Sequence, residues 1–217
     1  MTSTRTRRPG AVLTVRPGRP GDIRAVAGTI AATISNLPIC AWLVPDPGQR
    51  PSVLRPLVAL HVEHAIGYGH VDVLDRNGGR SGVGVAVWVP ASAPPIPRHD
   101  ARLAAICGPS TPRVRALRTA IEDRRSGLPG CTRLLYLAVQ RGWRGQGFGT
   151  HMVAHRHARL DRSATPAMVV APTTTGRDLF TALGYTAHPV PLGVPGHAGH
   201  LFVMGRAPAP PDRPGRA

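Results

Sequence analysis

The sequence predicts an α/β domain with a mixed central sheet of about six to seven strands flanked by helices. Three observations carry that expectation: alternating or short apolar runs mark strands, apolar positions recurring every three to four residues mark helices, and the two kinds of segment alternate through the second half of the chain. Residues 11–16 alternate and read as a first strand. Pro20-Gly21-Asp22 then opens a helix that places Ile23, Val26, Ala27, Ile30 and Ile34 on one face. Residues 36–48 are proline-rich and read as a loop, and a second helical pattern covers 51–66. A short strand over 70–74 leads to Asn77-Gly78-Gly79, a strong hairpin signal, and then to a strand over 83–89. Residues 91–97 carry too much proline for regular structure. Helical patterns follow over 100–106 and 112–124.

The second half is simpler. A buried-looking strand over 134–139 passes through a glycine-rich turn into a helix over 150–160. A strand over 167–171, a short helix over 176–183 closed by Gly184, and strands over 185–190 and 200–206 complete the domain. Residues 1–10 and 207–217 read as tails, leaving one domain over 11–206.

The chain has 217 residues and a net charge of +16, and every basic side chain among its 27 lysine and arginine positions is arginine. The arginines are scattered, with short clusters such as Arg5-Thr6-Arg7-Arg8 and no aromatic-interleaved basic strand or recognition helix. That pattern argues against a dedicated nucleic-acid role, and no specific nucleic acid is expected as a partner, yet a positive field still attracts phosphorylated ligands. No apolar run approaches the roughly 18–20 residues that span a bilayer. Cys40, Cys107 and Cys131 lie far apart and read as buried thiols. The expected location is the cytoplasm, as a monomer or homodimer without membrane contact. His151 and His155 share a helix face but have no third ligand in view, so no metal is expected.

The most informative stretch is Arg144-Gly145-Gln146-Gly147-Phe148-Gly149, set between the strand over 134–139 and the following helix. A strand, a glycine turn and a helix start present free amides and the positive end of a helix dipole, which favour an anion. Alternate glycines let a ligand approach the backbone, and Arg144 adds a guanidinium that can fork onto phosphate. The spacing is neither the Gly-x-Gly-x-x-Gly dinucleotide fingerprint nor a lysine-bearing P-loop.

With this order of elements, the stretch resembles the cofactor motif Arg/Gln-x-x-Gly-x-Gly/Ala of the GNAT N-acyltransferases, matched by Arg144, Gly147 and Gly149. Leu179-Phe180-Thr181-Ala182-Leu183-Gly184-Tyr185 is similar to the same superfamily's Leu-Tyr-x-x-Leu-Gly-Phe signature. Over about residues 12–208 the chain is similar to the puromycin N-acetyltransferase branch, through Thr14-Val15-Arg16, Gly21-Asp22-Ile23, Ala86-Val87-Trp88 and Phe202-Val203-Met204. The resemblance implies the GNAT fold, with acetyl-CoA or another acyl-CoA as cofactor and a small-molecule amine, such as an antibiotic or secondary metabolite, as acceptor. It implies a pantetheine arm held along Leu137, Ala138 and Val139. The pyrophosphate would be held by Arg144 and by the amides of Gly145, Gln146, Gly147, Phe148, Gly149 and Thr150.

The match stops at the chemistry. Phe180 stands where the superfamily usually places an acid tyrosine, the strand containing Met168-Val169-Val170 has no carboxylate, and Thr173, Thr174 and Gly176 occupy the places of a common asparagine. The catalytic residues are therefore open. Tyr136, Asp178, Tyr185, His188 and His200 are candidate proton carriers, each with a plain structural role as the alternative. Glu63 and Glu122 are candidate distant bases or simply solvated helix positions. Trp88 and residues 90–97 are candidates for the border of the acceptor pocket, with plain core as the equal alternative for Trp88. The alternative function is an acyl-CoA-binding protein of this fold whose chemistry is lost or altered.

Overall fold

The structure is a computed structural model that describes residues 12–76, 82–125 and 130–210. In chain order the elements are β1 (Leu13–Pro17), α1 (Ile23–Ile34), α2 (Pro38–Leu43), α3 (Arg50–Tyr68), β2 (His70–Arg76), β3 (Gly84–Val89), α4 (His99–Cys107) and α5 (Thr111–Arg125). Then come β4 (Thr132–Val139), α6 (Phe148–Arg162), β5 (Ala167–Ala171), α7 (Thr174–Ala182), β6 (Thr186–Ala187), β7 (Leu192–Val194) and β8 (His197–Arg206). The strands form one mixed sheet in the order β1-β2-β3-β4-β5-β8-β6, with β7 paired to β8. Among the described strands only β4 and β5 run parallel, joined by the α6 crossover; the remaining pairs are antiparallel.

Two layers of helix cover the sheet. α6 and α7 pack on one face against Leu74, Ala86, Trp88, Leu134 and Met204. α1 and α3 pack on the other against Val71, Val73, Val85, Val87 and Ala138. Strand alternation produces this division: Val85, Val87 and Val89 go to the α1–α3 face, while Ala86 and Trp88 go to the α6 face. Gly84 sets how closely α6 approaches, since a Cβ there would lie 2.8 Å from Met152 Sδ.

Two sequence expectations change, and the open choice for Trp88 closes. The expected loop over 36–48 contains α2, because Pro38 occupies the first helical turn, where a missing amide costs nothing, and Ile39, Cys40 and Leu43 are buried. The expected strand over 185–190 shrinks to β6, with Pro189 and Pro191 following it, and the short β7 raises the strand count to eight. Trp88 is fully buried on the α6 face and does not line the cavity that residues 90–96 border. The Asn77-Gly78-Gly79 turn, residues 1–11 and residues 211–217 lie outside the described residues. Residues 207–210 lack regular structure, although the Ala209 amide bonds Asp161 Oδ1 at 2.9 Å. Among the described residues no helix is long and apolar enough to cross a membrane.

Candidate active site

The site is built around an irregularity in β4. Its pairing with β3 slips between Val87 and Trp88, which face Tyr136 and Leu134 respectively, so Leu135 is an extra residue. The bulge sends consecutive side chains, Leu135 and Tyr136, to the α3 face, whereas Leu134 and Leu137 belong to the α6 face. Pairing with β5 stops at the same place: Thr132, Arg133 and Leu134 have partners, but the C-terminal half of β4 has none in β5. The Gln140 amide bonds the Val83 carbonyl at 2.9 Å. Alternation then turns Ala138 toward β3 and points the amides and carbonyls of Leu137 and Val139 into the gap.

At the end of β4 the chain turns through residues 141–147 into α6. Gly145 and Gly147 have φ of +74° and +75°, a left-handed conformation that a side chain would strain. No heavy atom lies within 4 Å of where a Cβ would sit on either, so open space faces the loop. Gly147 caps α6, whose first helical bond runs from the His151 amide to the Gly147 carbonyl at 2.9 Å. The amides of Phe148, Gly149 and Thr150 thus have no carbonyl within their own helix. Phe148 is buried against Trp143 and anchors the helix start, while Arg144, Gly145, Gln146, Gly147 and Thr150 are exposed. Arg144 Nε donates to the Val139 carbonyl at 3.1 Å, linking the loop to the gap.

A cavity of about 780 Å³ adjoins this gap. Its lining takes Leu137 and Phe180 from the α6–α7 face and Leu135 and Tyr136 from the α3 face, so it passes through the sheet where β4 and β5 part. Its outer wall comes from α3, α4, α5 and the loop that includes Pro90, Pro94 and Ile96. The volume falls within the usual range for small-molecule sites.

The polar groups of the cavity come largely from helices. Tyr136 Oη and His61 Nδ1 are 2.7 Å apart with their rings stacked. Burial pushes the His61 imidazole down to about 3, with further lowering by His99, Arg133 and His64, and burial raises the Tyr136 phenol well above its ordinary range. The His99 ring lies edge-on to His61 at 6.2 Å. Glu122 accepts a hydrogen bond from Arg133 at 2.8 Å beside the cavity.

The remaining sequence candidates disperse. Asp178 is exposed and pairs with Arg177; Glu63 is exposed and pairs with Arg102; His188 bonds Arg124; His200 is exposed on β8. Tyr185 is buried and bonded to His157 Nε2 at 2.9 Å, away from the cavity lining. Thr173 caps α7 by accepting from the Gly176 amide at 3.0 Å. His155 is engaged by Arg159. Phe180 is buried, lines the cavity and packs edge-on against Tyr185. Cys40, Cys107 and Cys131 are buried. His61, His64 and His99 were not among the sequence candidates. The signal available for His61 was helical spacing, three residues after Val58 and four after Leu57 on the apolar face of α3.

No protein-family model and no curated protein sequence matches the chain. Solved structures do match. A histone acetyltransferase HPA2 and related acetyltransferase from Corynebacterium glutamicum is 22% identical with a TM-score of 0.68, covering 93% of this chain and 99% of its own. Arylalkylamine N-acetyltransferase 2 from Aedes aegypti is 15% identical with a TM-score of 0.68, covering 91% and 99%. An agmatine N-acetyltransferase in its apo form is 17% identical with a TM-score of 0.63, covering 90% and 99%. Together with the mixed sheet, its parting strands and the glycine turn, these likenesses show that the chain has the GNAT acyltransferase fold.

Proposed function

We propose that the chain transfers an acetyl or related acyl group from an acyl-CoA to a small-molecule amine. The observation that carries this reading is the cavity through the sheet, which meets the outward backbone of β4 beside the open amides of the glycine turn. The residues fit the cofactor. Unhindered glycines and helix-start amides over 145–150, with Arg144, suit a pyrophosphate. Leu137 and Val139 offer the pantetheine amides a strand edge, while Ala138 bonds β4 to β3. When bound, the cofactor supplies an activated acyl thioester.

The chain's own contribution is positioning. The parted strands bring the amine-side cavity to the cofactor side, and proximity of this kind lowers a barrier by several kcal/mol. Tyr136 Oη, held by His61 Nδ1, can accept a hydrogen bond from the amine and orient it for attack; with His61 lowered to about 3, the released proton passes on to solvent rather than staying on the pair. Phe180 helps to close the apolar wall and has no proton to give. The similarity to the puromycin N-acetyltransferase branch makes an antibiotic, nucleoside or secondary-metabolite amine the acceptor to test first.

Phe180 favours a second reading, in which acyl-CoA binds but the chemistry is altered. Acetyl-CoA should raise the melting temperature of the protein. With a panel of amines it should also release free CoA thiol, detectable with a thiol reagent. Gly147→Val, which costs about 1–2 kcal/mol in conformation and places a side chain against the ligand path, should abolish the thermal shift. Binding without thiol release across the panel would favour the second reading, and no binding at all would sink both.

A further inference from the structure

We propose that the cavity takes its acceptor amine uncharged: an apolar amine of low basicity, of the aryl-amine class, held by hydrogen bonds rather than by an ion pair. The proposal rests on the acyl-transfer reading and deepens it by naming the acceptor's class.

The walls favour an apolar body, with Leu57, Val89, Ile96, Leu103 and Leu135 on the lining. The charged groups disfavour a cation. Arg118 of α5 and Arg133 of β4 line the cavity and are permanently positive. His61 and His64 of α3 and His99 of α4 all have proton affinities lowered chiefly by burial, so none supplies a negative partner. The neighbouring Cys40 thiol is pushed up to about 12 by burial and the Cys107 thiol is raised, which keeps both neutral at pH 7. The lining carboxylates are Glu122 and Asp123 of α5. Glu122 already accepts from Arg133, and Asp123 is exposed to solvent. Asp100 and Glu63, nearby on α4 and α3, are exposed and paired with Arg118 and Arg102. An ammonium entering here loses its hydration and finds Glu122, Asp100 and Glu63 already paired with arginines.

His99 adds a positive argument. Arg118 Nη1 lies 3.0 Å from His99 Nδ1, and a guanidinium has donors only, so Nδ1 is the acceptor. The neutral ring therefore carries its proton on Nε2. That atom is buried and has no partner among the described residues, an arrangement that penalises the empty protein and rewards a ligand bringing a lone pair. An ammonium has no lone pair. An uncharged nitrogen, or an oxygen elsewhere on the acceptor, has one, and Tyr136 Oη can accept the N–H of the same uncharged amine.

The test uses two isomers, 4-methylaniline and benzylamine, titrated calorimetrically into the full chain without cofactor. At pH 7, 4-methylaniline should bind at least about tenfold more tightly, because benzylamine is then largely an ammonium whose basicity lies several pKa units higher. Raising the pH from 7 to 9 should strengthen benzylamine by nearly tenfold per unit and leave 4-methylaniline unchanged, since His61, His64 and His99 stay neutral across that range. His99→Phe should weaken 4-methylaniline about fivefold while leaving the thermal shift with acetyl-CoA intact. In the unmutated protein, the imidazole nitrogen resonance of His99 Nε2 should move when 4-methylaniline is added. Equal or tighter binding of benzylamine at pH 7, or binding of neither isomer, would overturn the proposal. Failure of acetyl-CoA to bind is a separate result: it would remove acyl transfer and leave selectivity for uncharged amines as a property of the cavity alone.

Discussion

Two histidine–tyrosine pairs lie on opposite faces of the same sheet and do different work. His157 and Tyr185, 2.9 Å apart, are buried among α6, Trp88 and Phe180. His61 and Tyr136, 2.7 Å apart, border the cavity on the α3 face. Around the first pair the charged groups are closed into partnerships, Asp72 with Arg156 and Asp161 with Arg206, and among the described residues the one buried polar atom left over there is the weak indole donor of Trp88. Around the second, His99 keeps a buried N–H without a partner. Pair chemistry is the same in both places, so the surroundings decide the role. A packed pair away from the cavity lining fixes the fold, whereas a pair on the cavity wall is placed to meet a ligand.

The largest expected effect lies on the closed face. Asp72→Ala leaves the Arg156 guanidinium buried without its bidentate partner and should cost about 3–5 kcal/mol of stability, read from urea denaturation. A loss below about 1 kcal/mol would show that this face admits water and would break the contrast between the two faces.

Next come the two tyrosines as mirror-image tests. Tyr136→Phe should lower kcat by about 100-fold with little change in melting temperature, since the freed His61 nitrogen can turn to water in the cavity. Tyr185→Phe should do the reverse, costing about 1–2 kcal/mol through the unpaired, buried His157 and leaving turnover within about twofold. Similar profiles for both variants would mean that the cavity pair is only structural.

A smaller effect follows from pH. Burial, with Arg206 as a lesser cause, lowers His157 from 6.5 to about 4 in the folded protein. The unfolded chain therefore takes up a proton first. The stability associated with a neutral His157 is complete above about pH 6.5 and is lost progressively as the pH falls to about 4. His61, lowered to about 3, extends the same loss further into acid. The melting temperature should fall through this window, and His157→Phe should flatten its upper part relative to the unmutated protein.

The contrast also explains what the sequence could show. The cofactor end is written in backbone terms. Glycines at positions 145 and 147 require positive φ, the turn begins a helix, and each property leaves a local mark at fixed spacing. The acceptor end is assembled from α3, α4, α5 and β4, bringing His61 against Tyr136, 75 positions away. No local pattern records such a meeting. Phe180 was legible as a departure from the Leu-Tyr signature, but the bulge at Leu135 that turns Tyr136 into the cavity left no sign in an otherwise ordinary apolar strand. Pro38 misled for a related reason, because a proline at a helix start and a proline in a loop look alike until the buried positions after it are known.

Phe180→Tyr gives the smallest expected effect and the sharpest test of where the proton is handled. Phe180 is 5% exposed and its ring meets Tyr185 edge-on at 5.4 Å, with part of its surface on the cavity. The new hydroxyl can point into that space, so the stability cost should stay within about 1 kcal/mol. If orientation of the amine by Tyr136 limits turnover, kcat should change by less than about threefold, because a second phenol on α7 leaves that step untouched. A rise of tenfold or more (about 1.4 kcal/mol of barrier) would place the missing proton donor on α7 instead. The cavity pair would then be a binding element, and the division between a closed face and a reactive face would shift to the gap between β4 and β5, where both faces meet.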